Sequence, residues 1–286
     1  MIARRRAVPG RVSPAMPSLL QYDFMRNAFA AAAVVAVLAG AVGYFLVLRG
    51  QTFAGHALAH VGFTGATGAV LAGIAPIWGL VLATVAAGIG MGFMGERLAQ
   101  RDVAIGLVLA LALGFGLLFL SFFTGSATQA TTLLFGNVLA VDRHTIWLLL
   151  VMAVASLLTL AIISRPLLFA SVHPELAEAK GVSLRLYSVL FLAIAALATA
   201  ECAQIVGVLL VFALMVGPAA AAQRCAATAS AGVLLSIALA LLEAWGGIAL
   251  AYYTNWPSSF WITVLSSVVY MLAVLWQSVA ARTAAA

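Results

Sequence analysis

His56 and His60 bracket the stretch GHALAH at residues 55–60, in a chain that has four histidines in all. A separation of four residues is one helical turn, so on a helix both imidazoles leave the same face. Two neutral imidazoles side by side can share a divalent metal ion; the alternative is a pair of histidines hydrogen-bonded to neighbouring helices. A metalloprotease site is excluded, because Ala57 stands where an HExxH helix carries its glutamate base. Glu201 and Gln204, in TAECAQIVG, also share one helical face. In apolar surroundings a lone carboxylate is paired, neutralised or drawn to headgroup level; otherwise it completes a metal site or takes up a proton. Glu243, in LLEAWGG, reads as a hydrogen-bonding residue between helices.

The elements that must position these side chains are membrane helices. The 286 residues are 65% hydrophobic and 8% charged, with a mean hydropathy of +1.16, which lies far outside soluble globular domains. Apolar runs of about 18 or more residues recur along the chain, each long enough to cross a bilayer as a helix. The net charge of +6 comes from thirteen arginines and the single lysine, Lys180, set mostly in the short connections. That pattern speaks for membrane orientation and against nucleic-acid binding. Cys202 and Cys225 form no CxxC, so neither a disulfide framework nor a thiolate metal site is indicated.

Residues 1–27, with Arg4, Arg5, Arg6 and Arg11, read as a disordered leader, followed by one transmembrane domain over 28–282. Candidate membrane segments are 28–48, 56–74, 77–94, 103–123, 146–164, 186–200, 205–222, 231–253 and 260–280. The expected architecture is an all-α polytopic bundle of about eight or nine transmembrane helices. With nine alternating segments, Arg49, Arg97, Arg101, the stretch from Arg165 to Arg185, Arg224 and Arg282 fall on one side, the cytoplasm. The N-terminus and Arg143 then lie outside. Eight or ten spans, or re-entrant segments near 133–141 or 205, satisfy the composition equally. The second segment is rich in small residues, and Gly62/Ala66 and Gly65/Ala69 make the small-xxx-small spacing of closely packed helices. The two histidines therefore open a helix that belongs inside the bundle.

The one long polar connection is HPELAEAKGVSLR, residues 173–185. Pro174 and Gly181 are start and stop signals around a short helix, ELAEAK. On the arginine-rich side such a helix offers a docking surface; a merely solvated loop is the alternative. Lys180 sits in no G-x-x-x-x-G-K-[ST] context, so the chain has no Walker lysine and any ATP must be handled by another subunit.

Four blocks in order carry a family resemblance: GHALAHVGFTGATG, LLFGNVLAVD (133–142), HPELAEAKGVSLRLYSVLF and IVGVLLVFALMVGPAAAA (205–222). From about Phe24 to Trp276 the chain resembles the permease subunit of the zinc/manganese/iron ABC-importer family. The resemblance implies a type II importer permease, similar in architecture to cobalamin permeases, in a bacterial cell membrane. It implies a second permease copy, cytoplasmic ATPase subunits on a coupling helix that includes Glu175, Glu178, Lys180 and Gly181, and an external metal-binding protein. No catalytic activity and no cofactor of its own is expected; the metal is cargo, bound transiently. His60 falls on the family's motif histidine, whereas His56 stands where aspartate is usual, and Glu201 is unexpected at its place. Manganese favours oxygen ligands and imidazole suits zinc, so zinc is the expected cargo, with manganese or iron as alternatives and Glu201 as a further contact. A proton-coupled secondary metal transporter using His56, His60 and Glu201 is the rival reading, and an intramembrane hydrolase a more distant one.

Overall fold

A computed structural model of the chain describes residues 21–94, 98–122, 134, 136, 138–208 and 210–285. Most of the leader (1–20), Arg97, and Leu133, Phe135 and Asn137 of the LLFGNVLAVD block lie outside the described residues. The first helices are α1 (Asp23–Leu48), α2 (Thr52–Leu71), α3 (Pro76–Phe93) and α4 (Leu98–Ser121). After a 3-10 turn at Val138–Ala140 come α5 (Arg143–Val172), the short α6 (Pro174–Ala179) and α7 (Leu184–Val206). The chain closes with α8 (Val211–Cys225), α9 (Ala229–Thr254) and α10 (Ser258–Ala285).

Seven of these, α1, α3, α4, α5, α7, α9 and α10, are long and apolar enough to cross a membrane. α2 spans 20 residues, but its Gly, Thr and His content lowers its hydropathy below that of the others. α8, at 15 residues, is short of a full span. With these two the bundle holds the segments expected from the apolar runs, and the fold is an all-α membrane bundle.

Two boundaries differ from the sequence reading. α1 begins at Asp23, ahead of its apolar run, because Asp23 suits a helix N-terminus, Met25 is buried and Asn27 Nδ2 donates to Val141 O at 3.3 Å. The segment expected at 205–222 is split: α7 runs on through Val206, and Gly207, at φ 85°, turns the chain before α8 begins. That left-handed conformation is open to glycine at no steric cost.

Side-chain bonds fix which helix ends lie together. Arg49 Nη1 donates to Ser171 Oγ at 2.9 Å, and Gln223 Nε2 donates to Tyr44 O at 2.9 Å. The C-terminal ends of α1, α5 and α8 therefore gather at the end of the bundle that carries α6. Arg49, the 165–185 stretch and Arg224 share that end, as the alternation of segments requires. The Asn27–Val141 bond places the start of α1 at the opposite end, beside Arg143.

α2 packs on α1, α3, α4, α7 and α8, so it occupies the interior. Its small-residue stripe meets α3: Gly65 lies on the carbonyl of Gly79 and Gly79 on that of Gly65, with Ala69 alongside. Without a hydrophobic drive between helices in lipid, this backbone-to-backbone approach supplies dispersion contact that larger side chains would prevent.

Candidate functional site

The small residues of α2 set where its two histidines stand. His56 is half-buried and His60 buried, and their ring centroids are 4.8 Å apart at 83°, edge to face. Phe212, from the first turn of α8, lies 5.6 Å from His56 at 82°. No described residue accepts or donates a hydrogen bond at either imidazole, which disfavours a pair held by hydrogen bonds to neighbouring helices. What remains is two neutral imidazoles a turn apart, each with a ring nitrogen of the kind that can accept a cation.

The structure does not bring Glu201 to this pair: among the described residues no three of His, Cys, Asp and Glu stand close enough to hold one ion. Glu201 lies on α7, fully buried, and neither of its carboxyl oxygens has a hydrogen-bond partner. The Gln204 amide oxygen, one turn on, is likewise buried and unpartnered. Glu243 on α9 faces the Ser266 hydroxyl of α10, the kind of interhelical polar neighbour expected of it, although neither carboxyl oxygen closes a hydrogen bond there. The Ser266 hydroxyl beside it donates instead to Ala213 O at 2.9 Å, so its proton is spent elsewhere.

α6 is a second candidate surface, at the end of the bundle beyond α5. Ala177 is its buried anchor, while Glu175, Glu178 and Lys180 are exposed. The helix closes with a Schellman pair: Gly181 N donates to Glu178 O and Val182 N to Ala177 O, both at 2.9 Å. Gly181 takes φ 80°, the left-handed value the motif needs. Lys180 Nζ stands 5.7 Å from the Phe169 ring centre, a cation–π contact that ties the loop to α5. Sequence reasoning missed two residues here. Leu176, half exposed between the glutamates, gives the surface an apolar centre, and an apolar residue on an otherwise charged surface helix was its signal. Phe212 had no local signal, because its partner lies on a different helix.

A bundle of apolar helices with paired imidazoles in its interior and one short charged helix protruding at one end has the form of a membrane permease. The family model described as the ABC 3 transport family matches residues 21–277, and the chain belongs to that family. It is a permease of a metal ABC importer, a transport subunit and no enzyme, and a multi-pass protein of the cell membrane. The chain is 28% identical over 261 residues to the manganese transport system membrane protein MntC of Listeria innocua, covering 91% of this chain and 93% of that protein. It is 30% identical over 255 residues to the manganese import system permease protein ScaB of Streptococcus pneumoniae, covering 89% of this chain and 91% of that one. Among solved structures, PsaBC from Streptococcus pneumoniae in complex with Fab is similar at TM-score 0.80 and 27% identity, over 90% of this chain and 93% of that chain.

Proposed function

We propose that this permease conducts a divalent transition metal inward, with zinc preferred over manganese or iron, and that His56 and His60 touch the ion in transit. The observation that carries the proposal is the pair itself: two imidazoles 4.8 Å apart, inside the bundle, with no hydrogen-bond partner among the described residues. Nitrogen ligands favour zinc, and among the described residues no carboxylate joins them to recreate the oxygen-rich set that manganese prefers. Zinc takes about four ligands in a stable site. Two leave it loosely held, which suits a station that must release what it accepts. The manganese in the names of MntC and ScaB belongs to those proteins, and it is the competing cargo for this one.

Family membership supports the remaining parts of the proposal. A separate ATPase subunit supplies the energy by docking on α6, where Glu175, Glu178 and Leu176 are exposed. A second copy of the permease completes the pathway, and an external metal-binding protein delivers the ion. Family membership also removes the footing of the proton-driven secondary transporter.

The test is tracer uptake in cells lacking other zinc importers, at membrane levels matched by blot. His56→Ala with His60→Ala is expected to lower zinc uptake by about tenfold or more. His56→Asp is expected to shift the uptake ratio toward manganese. Unchanged zinc uptake in the double variant would make the histidines packing residues, and an unchanged ratio in His56→Asp would remove the basis for zinc.

A further inference from the structure

α5 and α9 both pack on α1 but leave a slot between them, a cavity of about 530 Å³. Its floor is Ala41 and Phe45 of α1; its walls include Ser164 and Arg165 of α5 and Ser230 and Leu234 of α9. That volume is within the ~300–1,000 Å³ of ligand sites. The wall is apolar apart from its rim, and it opens sideways, since Leu234 is 68% exposed.

Arg165 makes the slot more than a packing defect. It is exposed, and among the described residues it has no acidic partner, the ion pair there being Arg26 with Asp23. α5 has 30 residues, about 45 Å of helix, against a hydrocarbon thickness of about 30 Å. Each end therefore extends about 7 Å past the hydrocarbon if the helix is centred. Arg165 is seven residues before Val172, about 10 Å from the end, hence just inside the apolar boundary. An arginine at that depth extends its stem to the headgroup layer and seeks an anion there. Ser230 adds a hydroxyl at the same rim, whereas the Ser164 hydroxyl donates back along α5 to Ala161 O at 2.7 Å.

We infer that the slot holds an anionic phospholipid of the surrounding bilayer. One acyl chain lies over Ala41 and Phe45 between α5 and α9, and the phosphate is paired with Arg165. Charge complementarity selects this occupant: the described residues lining the slot supply a cation and an apolar groove but no acid, and an acidic lipid brings both the anion and the acyl chain. The reading of the α6 end as cytoplasmic bears only on the leaflet, which is the inner one.

The experiment places the full chain in nanodiscs of phosphatidylcholine, with or without an equal part of phosphatidylglycerol, and measures thermal unfolding. Phosphatidylglycerol is expected to raise the midpoint by about 2–4 °C. Arg165→Gln should abolish the rise, Arg165→Lys should keep part of it, and Leu234→Trp, which fills the slot, should abolish it. An undiminished rise in Arg165→Gln overturns the proposal. So does an equal rise when inorganic phosphate is added to phosphatidylcholine discs, which would make the site one for a bare anion. Should Arg165→Gln not fold, Leu234→Trp decides, and a full rise in that variant is the overturning result.

Discussion

α2 and α5 are opposites. α2 carries glycines, threonines and two histidines, is too polar to stand out as a span, and packs against five other helices. α5 has a mean hydropathy of 2.8, yet only 28% of its span is buried, and Trp147, Val151, Leu158 and Ile162 form an exposed stripe along it. In water the more apolar helix would be the inner one. In a bilayer, lipid solvates apolar side chains as well as protein does, so hydrophobicity marks the perimeter and small or polar residues mark the interior. α1 and α7 show that the rule has a second clause: both are apolar and 72% buried, but more than half of their buried residues are small, alanine and glycine in α1 and alanine with Ser188, Thr199 and Cys202 in α7. What places a helix centrally here is small side chains, and the histidines of α2 travel with them.

The sharpest way to break this contrast is Gly65→Leu. The side chain would be driven into the backbone of Gly79 and into Ala83, where nothing flexible can yield. Overpacking of this kind costs about 3 kcal/mol or more, and the unfolding midpoint should fall by about 6 °C or more. A midpoint within about 2 °C of wild type would show that α2 and α3 are not held by backbone contact.

Glu201→Gln comes next and separates two kinds of buried polar group. The histidines are neutral imidazoles that need no counter-charge, whereas Glu201 has two unpartnered carboxyl oxygens in the interior. The amide keeps the volume and removes the ionisable group, whose burial carries a cost of a few kcal/mol when charged. Unfolding is expected at or slightly above the wild-type temperature, with uptake at least half retained. Loss of uptake at equal membrane level would put the carboxyl on the ion's route despite its separation from the pair.

Much of this layout was legible from residues. Apolar runs located the helices because each must satisfy its own backbone in lipid, and the Gly62/Ala66 and Gly65/Ala69 spacings identified the inner helix. Pro174 and Gly181 bounded α6 because a first-turn proline and a left-handed glycine are local requirements. The α7–α8 division was not legible: Ile205 to Ala222 reads as one apolar run, and only the turn at Gly207 divides it. Nor was the distance from Glu201 to the histidines. Ligand sets are assembled across helices, and residue types on separate helices carry no information on how those helices are rotated against each other.

α6 hangs from the end of α5, so it tests whether function on the perimeter can be lost without loss of the core. Glu178→Lys reverses an exposed charge and should lower ATP-driven uptake by about tenfold while the midpoint stays within about 1 °C, as exposed substitutions usually do. Gly181→Val forces a β-branched residue to φ 80°, at a strain of about 1–3 kcal/mol, and breaks the Schellman closure. Nothing lies within 4 Å of a Cβ at that position, so the strain should unwind α6 alone and leave the bundle intact. Co-purification of the ATPase is the readout. Binding at wild-type strength in both variants would mean that α6 is a solvated connection and no docking surface.

The smallest effect is expected at Ile162, and it bears most directly on the comparison. This residue is 78% exposed on the face of α5 turned from the bundle. In a soluble protein an exposed isoleucine replaced by alanine removes apolar surface from water. Here it exchanges one lipid contact for another in both the folded helix and the separated one. Ile162→Ala should therefore move the midpoint by less than about 1 °C in nanodiscs, within the range of a change that touches no packed neighbour. Leu167 on the same helix is fully buried, and its replacement by alanine leaves a cavity worth about 2–5 kcal/mol. If the two substitutions were equally damaging, the exposed stripe of α5 would be covered in the assembled protein, and lipid would not be its solvent.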